Sequence, residues 1–510
     1  MFKGHPKGLY ALALANTGER FGYYTMIAVF ALFLRANFGL EPGTAGTIYS
    51  TFLALVYFLP LVGGILADKF GYGRMVTIGI LVMFFGYLLL SIPLGSGTVA
   101  LIGMMAALLL VSFGTGLFKG NLQVMVGDLY NDPKYAAKRD SGFSLFYMAI
   151  NIGALFAPTA AVKIKEWAEL SLGFSGNDAY HFSFAVACIS LVVSISIYYA
   201  FRSWFSHVEG GAAKSGGKTQ VVDTLTPEQT RSRMVALFMV FGVVIFFWMA
   251  FHQNGLSLTY FADEFTATSS SGIESMAFNV WNLVAVIAIV YALFSIFQSD
   301  NARSKWTGTG VVALACAFLV WQYTRLNGEV AVSAPIFQQF NPFYVVALTP
   351  VSMAIFGALA KKGKEPSAPR KIAYGMLVAA IAYALMMFFS FGLPMPRTEI
   401  VDGVPVAQHV ADVTPNLLIS IYLILTFGEL LLSPMGISFV SKVAPPKYKG
   451  MMMGGWFVST AIGNFLVQVG GLLWGKTALW IVWAVFMGLC LISAAVMFAM
   501  MKKLEAATAE

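Results

Sequence analysis

Residues 15 to 24 read A-N-T-G-E-R-F-G-Y-Y and place Glu19 beside Arg20 inside an otherwise apolar segment. The apolar run begins at Leu9, and a helix that rises about 1.5 Å per residue carries Glu19 roughly 15 Å inward, about half of a bilayer core. Charged side chains at that depth are costly and by default mark a substrate or ion pathway. The alternative is a structural ion pair that only orients neighbouring helices.

The composition around this stretch is that of a polytopic membrane protein. Of 510 residues, 58% are hydrophobic and 11% are charged, and the mean hydropathy is +0.75. These values lie far outside the range of a soluble globular domain. Cys188, Cys316 and Cys490 all lie in apolar runs, so we expect them to pack in the core without forming a disulfide.

Hydropathy and turn residues predict fourteen membrane spans, six before a polar stretch at 202–233 and eight after it. The predicted spans are 9–38, 46–67, 75–92, 98–127, 141–162, 180–201, 234–261, 276–297, 308–323, 335–359, 372–391, 415–440, 451–473 and 478–501. The predicted domains are an N-terminal six-helix bundle (1–201), a cytosolic linker (202–233) and a C-terminal six-helix bundle (234–510) with an inserted transmembrane hairpin at about 276–323.

The positions of the basic residues predict the orientation of the chain. With the N-terminus in the cytosol, most of the 32 Lys and Arg residues fall in cytosolic segments. We therefore expect a multi-pass protein of the inner (plasma) membrane with both termini in the cytoplasm, surrounded by lipid and acting as a monomer. The basic residues are spread over many short loops, so no nucleic-acid partner is predicted. No cofactor is expected, and no Cys or His cluster has the spacing of metal ligands.

A glycine-rich loop follows the second span, G-G-I-L-A-D-K-F-G-Y-G-R at 63–74. It resembles the cytosolic signature of the major facilitator superfamily, with Asp68 and Arg74 as its charged members. The glycines allow a tight turn, and the charges can bridge helix ends in one state of a transport cycle and separate in the other. An ordinary charged turn is the alternative. The predicted fold class is an all-α major facilitator fold, two six-helix bundles plus an extra two-helix hairpin.

Five ionisable side chains lie deep in the predicted spans: Glu19, Arg20, Lys119, His252 and Glu429. Lys119 can reach the depth of Glu19, and the two can pair while the carboxylate is ionised. Protonation of the glutamate would remove that pair, which is one means of making substrate binding depend on a proton. Glu429 can meet a substrate cation, or it is a hydrogen-bonded structural carboxyl.

The buried charges are opposed across the two halves. Arg20 and Lys119 make the first half cationic, and Glu429 offers an anion from the second, so a zwitterion several ångströms long would fit between them. Aromatic residues at helical spacing are further candidates, each with core or interfacial packing as its alternative. These aromatic candidates are Tyr23, Tyr24, Tyr57, Tyr147, Trp248, Trp456 and Phe457.

Several of these residues lie in motifs that resemble those of the proton-dependent oligopeptide transporter (POT) family, a branch of the major facilitator superfamily. The family's first-helix motif E-x-x-E-R-F-x-Y-Y appears as N-T-G-E-R-F-G-Y-Y, its fourth-helix lysine as Lys119, and its F-Y-x-x-I-N signature as F-Y-M-A-I-N, which adds Asn151. Three later segments, F-F-W-M-A-F-H-Q-N-G, F-N-P-F with Asn341, and G-E-L-L-L-S-P-M-G, resemble its seventh, eighth and tenth helices.

This resemblance implies import of di- and tripeptides driven by protons. It assigns the carboxylate of the peptide to Arg20 and Lys119. It assigns the peptide backbone and N-terminal amine to Asn151, Asn341 and Glu429. The residues expected to couple transport to protons are Glu19, His252 and Glu429.

The departures from the family pattern fall in one circuit. Asn16 stands where the family has its first acidic residue, Ile27 where it usually has an arginine, and His252 where its seventh helix carries Glu or Asp. When all three charged residues of the family are absent, no buried charge is left without a partner. The absence of only one of them would leave an unpaired charge in the protein interior. His252 either replaces the lost carboxylate as a proton carrier or is a neutral, hydrogen-bonded histidine. The two surplus spans also lie after the seventh helix instead of between the halves, and we expect them at the periphery.

The leading hypothesis is a secondary active transporter of di- and tripeptides. The alternative is a family relative that moves an amino acid or an anion such as nitrate, with altered or absent proton coupling. A peptide is favoured because a small anion needs no carboxylate that binds an amine. A membrane enzyme is not predicted, since no nucleophile and base or metal constellation is present.

Overall fold

A computed structural model of the chain describes residues 4–210, 225–299, 301–326, 328–401, 404–445 and 448–509. Fourteen segments in it are helical, long and apolar enough to cross a membrane, and each overlaps one of the fourteen predicted spans. The predicted number of spans is therefore confirmed. Because the number is even, both ends of the chain lie on one face of the molecule, here called the terminal face, and the other face is called the opposite face.

Six helices form the first bundle. They are α1 (Lys7–Phe38), α2 (Pro42–Phe70), α3 (Tyr72–Leu90), α4 (Thr98–Asp128), α5 (Arg139–Leu172) and α6 (Gly176–Ala200). Helix α1 packs against α5 and α6, and α4 packs against α2 and α3. Most of α1 is buried, because it lies at the centre of these contacts, and this placement brings the charged stretch of residues 15 to 24 into the middle of the molecule.

The seventh span is built from two helices, α7 (Pro227–Phe251) and α8 (Ser257–Phe265). Helix α7 begins inside the predicted linker because Thr226 and Gln229 form a capping box at its start. Between the two helices, residues 252–255 form a tight 3-10 turn. A Cβ on Gly255 would lie 1.9 Å from the hydroxyl of Tyr49 on α2, so only glycine lets the two bundles approach so closely here.

The rest of the chain completes the second bundle and adds the hairpin. The remaining helices are α9 (Gly272–Ser275), α10 (Val280–Gln298), α11 (Ala302–Thr324), α12 (Phe340–Lys361), α13 (Ala368–Phe389), α14 (Pro415–Val443), α15 (Lys449–Leu466), α16 (Gln468–Leu473), α17 (Leu479–Ala499) and α18 (Met501–Ala509). Two small antiparallel sheets lie on the opposite face. Strand β1 (Ser269–Ser270) pairs with β2 (Val330–Ala331), and β3 (Thr398–Val401) pairs with β4 (Val404–Ala407).

The inserted hairpin consists of α10 and α11. Helix α11 packs mainly against α10, and Gly308 is its only buried residue. Helix α10 also packs against α12 and reaches the first bundle, where the rings of Trp281 and Phe156 are 5.4 Å apart. Helix α11 thus lies at the periphery, whereas α10 lies beside the junction of the bundles.

All three cysteines are free. Cys188 and Cys490 are buried, in agreement with the predicted core packing. Cys316 is exposed on α11, so the prediction of core packing is wrong for this residue. The reason is that an apolar run facing lipid has the same composition as one facing protein.

Hydrogen bonds join the two bundles near the opposite face. The hydroxyl of Thr47 on α2 donates to Gln468 on α16 at 3.0 Å. Thr159 on α5 donates to Gln339, in the turn before α12, at 2.9 Å. The amide of Gln338 donates to the backbone carbonyl of Ala28 at 3.2 Å, and Arg35 pairs with Glu264, so several contacts join the bundles toward this face.

Candidate functional site

Glu19 and Arg20 form a buried ion pair on α1. The Nε and Nη2 atoms of Arg20 each donate to one carboxylate oxygen of Glu19 at 2.5 Å. The guanidinium also lies 4.7 Å from the ring centroid of Tyr23. This two-pronged geometry is the strongest that arginine offers a carboxylate, and it explains how two charges are tolerated inside the bundle. Glu19 therefore bonds to Arg20 and not to Lys119.

Lys119 on α4 has a different kind of partner. Its Nζ atom lies 4.0 Å from the ring centroid of Tyr57 on α2, in a cation–π contact. Among the residues that the structure describes, no carboxylate forms an ion pair with Lys119. Within the described part of the chain, Lys119 therefore contacts an aromatic ring and has no ion-pair partner.

Glu429 on α14 is held by the second bundle. Nδ2 of Asn341 on α12 donates to its carboxylate at 2.9 Å and to the hydroxyl of Thr426 at 3.1 Å. The carboxylate also lies within electrostatic reach of the hydroxyls of Tyr24 and Tyr57 on the first bundle. The structure thereby brings together Asn341 and Glu429, two of the candidate residues, and adds Thr426, which the sequence did not single out.

His252 lies in the turn that divides the seventh span. Its ring stacks on that of Trp248 with centroids 5.3 Å apart, and lies 6.0 Å from that of Tyr57. The Nδ1 atom of His252 and the Nε1 atom of Trp248 are buried without a hydrogen bond. Tyr57 therefore stands between His252 and Lys119, which joins the seventh span to the cationic part of the site.

The remaining candidates surround this centre with less direct geometry. Tyr147 on α5 is 45% exposed, and its hydroxyl also lies within electrostatic reach of the Glu429 carboxylate. The amide of Asn151 donates to the carbonyl of Tyr147 at 3.0 Å, so it is turned toward its own helix. Trp456 on α15 is buried where α14 has a glycine, and Phe457 beside it is partly buried.

The buried charges thus show a polarity across the bundle interface. The cations of Arg20 and Lys119 belong to the first bundle, and the carboxylate of Glu429 belongs to the second. All three interact with the hydroxyl or ring of Tyr57. An elongated molecule with a negative and a positive end would meet complementary charges along this line.

The predicted switch loop lies at the terminal face. Asp68 accepts a hydrogen bond from the hydroxyl of Tyr72 at 2.9 Å. Asp68 and Arg74 line a surface cavity of about 640 Å³ together with Glu209, whose backbone carbonyl accepts from the N–H of Gly73 at 3.1 Å. Neither Asp68 nor Arg74 forms an ion pair with a residue that the structure describes.

A second buried ion pair was missed from the sequence. Arg35 near the end of α1 pairs with Glu264 at the end of α8, and Trp474 donates from Nε1 to both carboxylate oxygens at 3.1 and 3.2 Å. The guanidinium also lies 4.6 Å from the ring centroid of Tyr260. Glu264 falls just beyond the predicted end of the seventh span at Phe261, and the adjacent acids in F-A-D-E-F were the available signal. This pair links the two bundles near the opposite face.

Metal chemistry has no visible support in this arrangement. Within the described ranges, no three His, Cys, Asp or Glu side chains lie close enough together to hold a metal ion.

Fourteen membrane helices in two bundles, with charges of both signs buried where the bundles meet, define a membrane transporter of the major facilitator type. The chain belongs to the POT family, whose sequence model matches residues 73–222 and 315–473. The predicted family and fold class are confirmed, and the chain is a transporter and not an enzyme.

Individual relatives match over nearly the whole chain. The uncharacterized transporter YclF of Bacillus subtilis (strain 168) is 29% identical over 497 residues, covering 92% of this chain and 89% of that protein. The peptide transporter YePEPT of Yersinia enterocolitica subsp. palearctica serotype O:3 (strain YE-P4) is 30% identical over 497 residues, covering 91% and 87%. A crystal structure of a POT family transporter in complex with 5-aminolevulinic acid has the same fold, with a TM-score of 0.74 at 21% identity over 99% of this chain and 98% of that one.

Proposed function

We propose that this chain imports di- and tripeptides by alternating access, coupled to the entry of protons. The proposal rests on two groups on opposite sides of the bundle interface. One is Lys119, which forms no ion pair with a described residue, and the other is Glu429, which is hydrogen-bonded by Asn341. A short peptide is a zwitterion, so its carboxylate would bind at the first and its amine at the second. The relative from Yersinia is named a peptide transporter, which agrees with this substrate class.

Each predicted site residue has a role in this scheme. Arg20 joins Lys119 at the peptide carboxylate once Glu19 is protonated, because a neutral carboxyl no longer holds the guanidinium as an ion pair. Asn151 and Asn341 hydrogen-bond the peptide backbone. Aromatic rings line the path of the substrate; they are Tyr23, Tyr24, Tyr57, Tyr147, Trp248, Trp456 and Phe457. The residues proposed to carry or respond to protons are Glu19, His252 and Glu429.

The cycle requires two bundles that rock against each other. We assign them to residues 1–201 and 234–510, joined by a linker at 202–233, with the hairpin inserted at about 276–323. With both termini in the cytoplasm, the opposite face, where several contacts join the bundles, is external. Asp68 and Arg74, neither of which is in an ion pair with a described residue, would bridge the helix ends in one state of the cycle. We further propose that the protein acts as a monomer in the inner (plasma) membrane.

Uptake of labelled dialanine into proteoliposomes, with and without an inward proton gradient, tests the function. We expect concentrative uptake with the gradient. Dialanine amide and N-acetyl-dialanine, which lack the negative and the positive end, should each compete poorly. Equilibration without concentration would contradict proton coupling, and equal competition by both blocked peptides would contradict binding of a zwitterion.

A second candidate keeps the same fold with another substrate. Loss of the acidic residue at Asn16 and of the family arginine at Ile27 changes the circuit in which coupling is expected, so a small anion such as nitrate, or an amino acid, is the alternative cargo. The Asn341–Glu429 hydrogen bond argues against this alternative, because a small anion would not need a carboxylate held in the site. Nitrate uptake that dialanine does not inhibit would favour this alternative.

A further inference from the structure

Asn464 on α15 is a buried polar residue that no motif singled out. It has no solvent exposure, and neither its amide oxygen nor its amide nitrogen makes a hydrogen bond. Buried amides in folded proteins are nearly always hydrogen-bonded, so an unpaired one calls for a reason. Its position next to the site supplies that reason.

Close packing of α15 against α7 brings Asn464 to His252. A Cβ on Gly463 would lie 2.6 Å from the carbonyl oxygen of Ile245 and 2.8 Å from Cβ of Trp248, so the two helices touch backbone to backbone at this point. The next residue, Asn464, then lies beside the His252 ring without forming a hydrogen bond to it. The buried amide therefore lies behind an imidazole whose Nδ1 atom is also unpaired.

The surroundings of His252 contain few groups that can titrate. Helix α2 contributes Tyr57 and helix α4 contributes Lys119, whose Nζ atom lies against the ring of Tyr57. The neighbours from α7 and α15 are Trp248, Phe251 and Asn464, and none of these titrates. The amide oxygen of Asn464 is thus an acceptor available to offset the charge of an imidazolium.

We propose that Asn464 is a positioning residue for His252, whose amide oxygen accepts a hydrogen bond from the imidazolium and so sets the pH at which the transporter takes up its proton. A neutral imidazole has a single N–H, whereas the protonated ring donates from both nitrogens. The charged ring can therefore donate to the amide oxygen of Asn464, which is unpaired here. This inference rests on the proposed function, in which His252 carries or responds to the proton.

Two nearly isosteric variants test it in opposite directions. Initial rates of dialanine uptake are measured in proteoliposomes as a function of external pH for wild type, Asn464→Asp and Asn464→Leu. A carboxylate beside the ring favours the imidazolium and should move the midpoint of the profile upward by about one pH unit or more. Leucine removes the acceptor and should move the midpoint downward. A merely structural role would lower the rate of both variants without moving their midpoints apart.

Two further variants, His252→Gln and Asn464→Thr, serve as controls for background and for folding. In a His252→Gln background, Asn464→Asp should leave the midpoint unchanged, and the same shift with or without the histidine would overturn the proposal. Asn464→Thr keeps an oxygen acceptor and should retain a midpoint near that of wild type, should the aspartate variant fail to insert. If the pH midpoint of dialanine uptake is the same in wild type and in the Asn464 variants, the role of Asn464 is refuted and the proposal of peptide transport still stands. No dialanine uptake by wild type at any pH would refute the proposed function itself.

Discussion

At the scale of single residues, the bond between Asn341 and Glu429 has the most direct consequence for binding. The two residues are 88 positions apart in sequence, and the amide holds the carboxylate at 2.9 Å with Thr426 as its second acceptor. The carboxylate is thereby fixed in one orientation before a substrate arrives. Preorganisation of this kind strengthens binding because less freedom is lost when the ligand is bound.

Replacing the Glu429 carboxylate should affect uptake more than replacing Asn16, the position at which the first-helix motif differs from the family pattern. We expect Glu429→Gln to weaken dialanine binding about 10- to 100-fold, since a hydrogen bond to a charged group is worth about 1.5–3 kcal/mol. Asn16→Glu, which restores the family's acidic residue, should reduce uptake less. The measurement is the concentration dependence of initial uptake rates for the two variants. Comparable losses would indicate that Glu429 is a structural carboxyl.

The residue scale also shows what the sequence could and could not predict. Adjacency in the chain and one motif sufficed to predict that Glu19 and Arg20 lie together in the membrane. The choice of Arg20 over Lys119 as the partner of Glu19 depends on side-chain reach within one helix, which hydropathy does not encode. Asn464 was missed because a single amide in an apolar span resembles many structural asparagines.

At the scale of elements, α1 and α8 are joined by a buried ion pair that must separate whenever the opposite face opens. Arg35 and Glu264 lie on different bundles, and Trp474 and Tyr260 enclose them. A pair of this kind can form only when the helix ends meet, so it contributes stability to the closed state alone. The fourteen spans themselves were predictable from hydropathy, whereas this pair depends on tertiary packing between residues 229 positions apart.

Breaking the pair should therefore favour opening at the opposite face. Glu264→Gln removes the carboxylate that pairs directly with the buried Arg35 and leaves only the adjacent Asp263 nearby. Removal of one partner of a buried pair costs about 3–5 kcal/mol. We expect distances between spin labels placed across the opposite face to lengthen in this variant. Lys163→Gln is the matched control, because Lys163 and Glu166 form an exposed pair on one helix, which contributes little. Unchanged label distances in Glu264→Gln would rule out a role of the pair in closure.

At the scale of the whole molecule, the turn at residues 252–255 is a point where the bundles meet directly. Gly255 of the second bundle accommodates the Tyr49 hydroxyl of the first, in the turn that also positions His252. The sequence predicted one continuous seventh helix from 234 to 261, and the division into α7 and α8 was not visible because the turn residues H-Q-N-G interrupt hydropathy only briefly.

A methyl group at position 255 should slow transport, because it disturbs the contact between the two bundles. Gly255→Ala would place Cβ 1.9 Å from the Tyr49 hydroxyl, so either the buried Tyr49 side chain or the two helices must shift. We expect slower dialanine uptake and a lower melting temperature. Gly242→Ala on α7 is the control, since nothing lies within 4 Å of the added Cβ. Equal behaviour of the two variants would mean that the bundles tolerate separation at this turn.

Helix α11 bears on how the protein responds to its membrane. It is held mainly by α10, and its 23 residues span roughly 35 Å, slightly more than an average hydrocarbon thickness. A thicker or thinner bilayer is accommodated by a change of helix tilt, and a helix with few neighbours tilts at little cost. When the acyl chains of the bilayer change in length, α11 should therefore change its tilt while the two bundles keep their position relative to each other.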